Sequence, residues 1–140
     1  MKNMVFLTST DTAIGFVSKD SKALDRAKQR IGGKKYITAI SSLKALNKRV
    51  PKKYKKLVRR AKKTTFIIDK NFSFRIIKNS NHNLLLNRLG LVYTTSANKS
   101  GEKFNLNYAH NNANIIIYPL KNSNSSTIYK LGKSKIKRIR

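Results

Sequence analysis

Met4-Val5-Phe6-Leu7-Thr8-Ser9-Thr10-Asp11-Thr12-Ala13-Ile14-Gly15-Phe16-Val17 decides how this chain is read. Two apolar runs, Met4 to Leu7 and Ala13 to Val17, are strand-sized and lie either side of a polar turn at Ser9-Thr10-Asp11-Thr12. Short apolar runs bounded by turn-forming residues predict buried strands. An α/β fold gathers its ligand-touching groups where such strands end, so the polar island itself is a candidate site.

Outward from that pair, Ala23, Leu24, Ala27 and Ile31 recur at helical spacing, with Ser21 as N-cap and Gly32-Gly33 as the stop. This helix carries Lys28 and Arg30. Tyr36 to Ile40 reads as a third strand, and Ser42 caps a short helix through Leu43 and Leu46. Pro51 then opens a basic helix through Tyr54, Leu57, Val58 and Ala61. Thr65 to Ile68 and Phe72 to Ile77 pair around Asp69-Lys70-Asn71, and Asn83 to Leu89 forms a helix closed by Gly90. Leu91 to Thr94 leads into a second polar island, Thr94-Thr95-Ser96-Ala97-Asn98-Lys99-Ser100-Gly101. After a polar segment come strands at Ile115 to Tyr118, Thr127 to Leu131 and Lys135 to Arg140, the last reading equally as a basic tail. Strands alternating with helices predict one layered α/β domain over residues 1–140.

Composition narrows the partners. At 140 residues and 39% apolar content the chain can build one core. Its 32 Lys and Arg against 5 Asp and Glu give a formal charge of +27, which repels itself unless a polyanion is met, and nucleic acid is the expected partner. A composition rich in Lys, Asn and Ile would also leave part of that charge merely solvated. No apolar run approaches the roughly 20 residues of a spanning helix, so no membrane partner is expected. The apolar start is too short for a signal peptide and cysteine is absent, which together predict a cytoplasmic protein.

Several chemistries are excluded by what is missing. No Gly-x-x-x-x-Gly-Lys-Ser/Thr and no Gly-x-Gly-x-x-Gly occurs, so a nucleotide would be held another way. His82 and His110 have no second ligand at metal-binding spacing, so no metal site is expected and surface or capping positions suit them better. No nucleophile elbow supports a serine hydrolase. The five acids Asp11, Asp20, Asp25, Asp69 and Glu102 offer almost no paired-carboxylate chemistry. Binding and charge stabilisation are what remain.

Three polar islands, Ser9 to Thr12, Lys28-Gln29-Arg30 and Thr95 to Gly101, resemble in order and spacing the motifs of the TsaC/YrdC family of threonylcarbamoyl-AMP synthases. Lys34 after the Lys-x-Arg, Thr65 opening a strand, Arg75 within the next, and Ser126-Thr127-Ile128 followed by Arg140 extend the likeness over nearly the whole chain. Ser9 and Ile31 stand where the family pattern has proline. The resemblance implies a single YrdC-like domain: a twisted mixed β-sheet flanked by helices, with a basic concave face, in a short member of the family.

It also implies an activity, a nucleotidyltransferase reaction that makes threonylcarbamoyl-adenylate and pyrophosphate from L-threonine, bicarbonate and ATP. A partner complex of threonylcarbamoyl-transferase proteins would then modify tRNA. Mg²⁺ would accompany ATP through the phosphates. Charge accumulates on phosphate oxygens as pyrophosphate leaves, so fixed cations and donors are needed there. Lys28, Arg30, Ser96 and Asn98 form the expected catalytic set. ATP contacts are expected from Lys28, Arg30, Lys34, Thr65, Ser96, Asn98, Ser126 and Arg140. Thr10, Thr12 and Thr94 would line the threonine pocket, with Arg75 clamping the carboxylate, because a guanidinium meets a carboxylate in two parallel hydrogen bonds.

An alternative is a catalytically degenerate relative that binds tRNA or double-stranded RNA. Lys52, Lys53, Lys55, Lys56, Arg59, Arg60, Lys62 and Lys63, interleaved with Tyr54, would supply a phosphate-tracking stripe.

Overall fold

The computed structural model describes residues 3–10, 12–32, 35–70, 72–78, 80–121, 126–132 and 135–140. The first two predicted strands form, and they pair: β1 (Phe6–Ser9) and β2 (Ile14–Ser18) run antiparallel, with Leu7 opposite Phe16 and Phe6 opposite Val17. β1 starts and ends two residues later than the apolar run suggests. Thr8 is buried, and the strand continues through Ser9 into the turn.

Further elements follow as β3 (Ile37–Ile40), α2 (Lys55–Arg60), β4 (Thr64–Asp69), β5 (Phe72–Ile76), α3 (Ser80–Leu89), β6 (Val92–Ser96), α4 (Leu106–Asn111), β7 (Ile115–Ile116), β8 (Thr127–Leu131) and β9 (Ile136–Arg138), with α1 (Ser21–Lys28) after β2. Among the described residues the nine strands make one mixed sheet, ordered β7-β1-β2-β6-β3-β5-β4-β8-β9. The β1–β7, β3–β5 and β4–β8 pairs are parallel and the remainder antiparallel. This is the layered α/β domain that the pattern predicts, and the mixed sheet with flanking helices that the resemblance implies.

Because successive strand residues point to opposite faces, the core divides into layers. Leu7 and Phe16 pack with Ala23, Leu24 and Ala27 of α1 and with Ala109 of α4. On the same side, Phe66, Phe74 and Ile76 pack with Val58 of α2. The opposite side buries Phe6, Val17, Ala39 and Val92 under Leu86 and Leu89 of α3. Gly90, at φ +78°, closes α3 in the left-handed region, its N–H donating to Leu86 O at 2.7 Å.

Other boundaries also differ from expectation: α3 starts at Ser80 and not at Asn83, and β7 ends at Ile116 and not at Tyr118. Asp20, not Ser21, caps α1, its carboxylate accepting from Lys22 N at 3.0 Å. α1 also stops at Lys28 and does not run on to the Gly32-Gly33 pair. Gln29 adopts φ 50°, and the N–H of Arg30 turns back to Asp25 O, leaving Ile31 94% exposed. Both predicted helices around Pro51 are shortened: Leu43–Ala45 and Lys52–Tyr54 are 3₁₀ turns, and only Lys55–Arg60 is α-helical. α4 arises inside the segment read as merely polar, started by Asn105, whose side chain accepts from Tyr108 N. The ambiguous C-terminus is a strand over Ile136–Arg138.

Candidate active site

α3 covers only part of its side of the sheet. Beyond it, a cleft of about 550 Å³ opens over the ends of β1, β2, β5 and β6. Strand alternation puts Arg75, Thr94 and Gly15 on that side, since Arg75 is opposite Ala39 and Thr94 lies between Val17 and Ile37. Glycine at 15 keeps the floor low: a Cβ there would sit 2.8 Å from Thr95 O and 3.2 Å from Thr10 Cγ2.

At the base lies the Arg75 guanidinium, 7% exposed. It donates to Thr12 Oγ1 at 2.8 Å, to Thr65 Oγ1 at 2.9 and 3.1 Å, and to Ser126 Oγ at 3.0 Å. Thr65 and Ser126 are also 3.0 Å apart, and Arg140 reaches the same serine through its carbonyl (3.0 Å) and hydroxyl (3.2 Å). The turn after β1 is held from within, Thr10 Oγ1 accepting from the N–H groups of Thr12 and Ala13 and donating to Ala13 O. Three distant stretches, 10–12, 65–75 and 126–140, thereby converge on one cation.

A second knot forms the opposite rim. In a continuous helix, positions two apart point away from each other, so Lys28 and Arg30 could not serve one site. The left-handed Gln29 removes that conflict. Lys28 is 1% exposed and its Nζ donates to Ser96 O at 2.9 Å and Asn98 Oδ1 at 3.1 Å. Past the turn, Arg30 Nε donates to Ser100 Oγ at 3.2 Å while Ser100 N bonds Lys28 O at 3.0 Å. Ser96 Oγ also donates to Asn98 Oδ1, and the Asn98 amide bonds the carbonyls of Lys99 and Glu102. The guanidinium of Arg30 stacks over Tyr36 at 5.2 Å. Burial and the Asp25 hydrogen bond hold the Tyr36 phenol up at about 12, so Tyr36 stays a donor at every physiological pH.

Of the residues singled out from sequence, Thr10, Thr12, Arg30, Arg75, Thr94, Ser96, Ser126 and Arg140 line this cleft. Thr65 stands behind Arg75, and Lys28 and Asn98 stand behind the rim. Lys34 and Asp11 lie outside the described residues. Sequence reading missed Gly15 and Tyr36, and it held Thr95 and Ser100 within the second polar island without giving them a role; an isolated glycine inside a strand pattern is the signal that could have found Gly15. His82 is a correction: it is neither a surface nor a capping residue but a fully buried residue of α3. Burial, and then the charge of Arg75, push its imidazole down to about 4, so it is neutral.

No family model matches the sequence. The fold is that of the YrdC/Sua5-type domains. Sua5 of P. abyssi, in its complex with L-threonine, superposes with a TM-score of 0.82 over 99% of this chain and 50% of that one, at 17% identity. E. coli YciO does so with a TM-score of 0.78 over 98% of this chain and 82% of that one, at 16% identity. In sequence, the chain is 35% identical over 98 residues to the uncharacterised protein MG259 of Mycoplasma genitalium, a match covering 69% of this chain. That match is about a fifth of the length of the curated relative, at 21%. Among the described residues no helix is long and apolar enough to cross a membrane.

Proposed function

We propose that this domain makes threonylcarbamoyl-adenylate from L-threonine, bicarbonate and ATP. The observation that carries the reading is the buried Arg75 guanidinium at the base of the cleft, solvated there by the hydroxyls of Thr12, Thr65 and Ser126. Hydroxyls are weak acceptors for such a cation. A carboxylate entering the cleft would offer that cation an anionic acceptor, in the two-pronged geometry a guanidinium favours. The Sua5 neighbour that holds L-threonine supports the choice of amino acid. A volume of about 550 Å³ falls within the range of small-molecule sites.

In the reaction, the threonine nitrogen bonds the bicarbonate carbon with loss of water, giving a carbamate. A carbamate oxygen then attacks the α-phosphorus as the bond to pyrophosphate breaks. Negative charge grows on the phosphate oxygens, and Arg30, Lys35 and Arg140 are cations at the cleft wall to meet it. Lys28 fixes the carbonyl of Ser96 and the side chain of Asn98, so it sets the nucleotide-side turn from behind. No carboxylate lines the cleft among the described residues, so Mg²⁺ would ride on the triphosphate oxygens, neutralising charge there. The product would pass to a transferase acting on tRNA.

Calorimetric titration with L-threonine tests the reading. Saturable binding that D-threonine does not reproduce is expected; absence of saturable heat at millimolar ligand would remove the reading.

A further inference from the structure

The last four carbonyls of a helix have no partner within it, and at the end of α1 each has found one. Asp25 O accepts from Arg30 N at 2.9 Å, Arg26 O from Gln29 N at 3.1 Å and Lys28 O from Ser100 N at 3.0 Å. Ala27 O accepts from the phenol of Tyr108, which reaches it from α4 across 81 positions of sequence. A second phenol holds the same turn by another route. Tyr36 donates to the Asp25 carboxylate, and its ring meets the Arg30 guanidinium at 5.2 Å. Asp25 therefore takes the Arg30 main chain on its carbonyl and the Tyr36 hydroxyl on its side chain. Helix end, carboxylate and ring close a loop around Arg30.

We infer that Tyr36 and Tyr108 are positioning residues that hold Arg30 for the phosphates, Tyr36 through the guanidinium and Tyr108 through the helix end that sets its main chain. The phosphates are those of ATP in the function proposed above, on which this assignment rests. A cation fixed before charge develops needs no reorganisation when the pyrophosphate bond breaks, whereas a free arginine would have to be ordered at that moment. Ser100 takes only Nε, at 3.2 Å, so the terminal edge of the fork is what a phosphate would meet. Burial raises both phenols, reinforced for Tyr36 by the Asp25 hydrogen bond and for Tyr108 by the charge of Glu102. Both stay protonated and keep donating.

A double-mutant cycle on Arg30 tests this. Tyr36→Leu removes the ring, Tyr36→Phe only its hydroxyl, and Tyr108→Phe only the bond to Ala27. Each is made in the parent and in Arg30→Ala, and adenylate synthesis is followed with ATP and then threonine varied. In the parent, Tyr36→Leu is expected to lower kcat/KM for ATP about 10-fold and each phenylalanine variant about 3- to 10-fold. The KM for threonine should hold. In Arg30→Ala each substitution should change the rate less than about twofold, because the group it positions is gone. If the parent makes no adenylate, the same cycle is read from the affinity for inorganic pyrophosphate, which separates failure here from failure of the proposed activity. The Nε–H signal of Arg30 in ¹⁵N-arginine-labelled protein, read without substrates, adds a spectroscopic check. The Tyr36 ring current should displace it from the free-arginine position, and Tyr36→Leu should return it while Tyr36→Phe does not. Equal losses with and without Arg30, a loss confined to threonine, or an Arg30 signal unmoved by Tyr36→Leu would each overturn the assignment.

Discussion

Arg75 donates to Thr12 at 2.8 Å across 63 positions of sequence, joining the turn after β1 to the fifth strand. The bond puts a cation from the middle of the sheet at the edge of the polar island. Arg75→Lys keeps a positive charge but loses the fork. The KM for threonine should rise roughly 10- to 100-fold, the worth of one or two charged hydrogen bonds, with kcat changed less. Thr12→Val, which keeps the shape, should raise it only a few-fold. Steady-state kinetics with threonine varied checks both.

Lys28 is buried, so its substitution reports on two things at once. Lys28→Met fills similar volume but leaves the Ser96 carbonyl without its lysine donor, a loss of about 1–3 kcal/mol. Thermal unfolding should move down by a few degrees to about 10 °C. Freed by even an ångström, the nucleotide-side turn should lower kcat on the order of 100-fold. Threonine binding, at the far end of the cleft, should be unchanged by calorimetry.

Gly15→Ala should fail through shape alone. Its Cβ meets the Thr95 carbonyl at 2.8 Å, and a strand backbone cannot move aside as a side chain can. Overpacking of this kind costs about 1–3 kcal/mol. Denaturant titration should show that loss, and a variant as stable as the parent would contradict the close approach of β2 and β6.

His82 sets an acid limit. In the unfolded chain its pKa is 6.5, and in the fold about 4. Below pH 6.5 the unfolded state therefore binds a proton that the folded state refuses. Its neutral form contributes fully above pH 6.5, and stability falls as pH drops from 6.5 toward 4, by about 3 kcal/mol in all. With only five acids in the chain, few carboxylates overlap that window. Chemical denaturation at pH 7, 5.5 and 4 should show the decline in the parent and a flatter profile in His82→Leu.

The strands were legible because their apolar runs are short and bounded by polar turns, and Phe6 to Val17 folds much as its pattern reads. Thr10, Thr12, Arg75 and Thr94 could be named as a set, and the fold gathers them on one side of the sheet. What composition and spacing could not show was the end of α1. A Gly-Gly pair is a strong stop, yet Gln29 takes the left-handed conformation first, at about 1 kcal/mol or more of strain. That early turn is what lets Lys28 and Arg30 serve one rim. α4 was hidden because it buries one residue fully, Ala109, with Tyr108 packed at the edge of the core, in a polar stretch. His82 had a readable signal: with Leu86 and Leu89 it continues the buried stripe of α3 at spacings of four and three.

The central claim is tested most directly by incubating the protein with ATP, L-threonine and ¹³C-bicarbonate and analysing the products by mass spectrometry. The account predicts a threonylcarbamoyl-adenylate carrying the label, formed together with pyrophosphate and absent when any one substrate is omitted. Folded protein that binds threonine yet yields no labelled adenylate would contradict it.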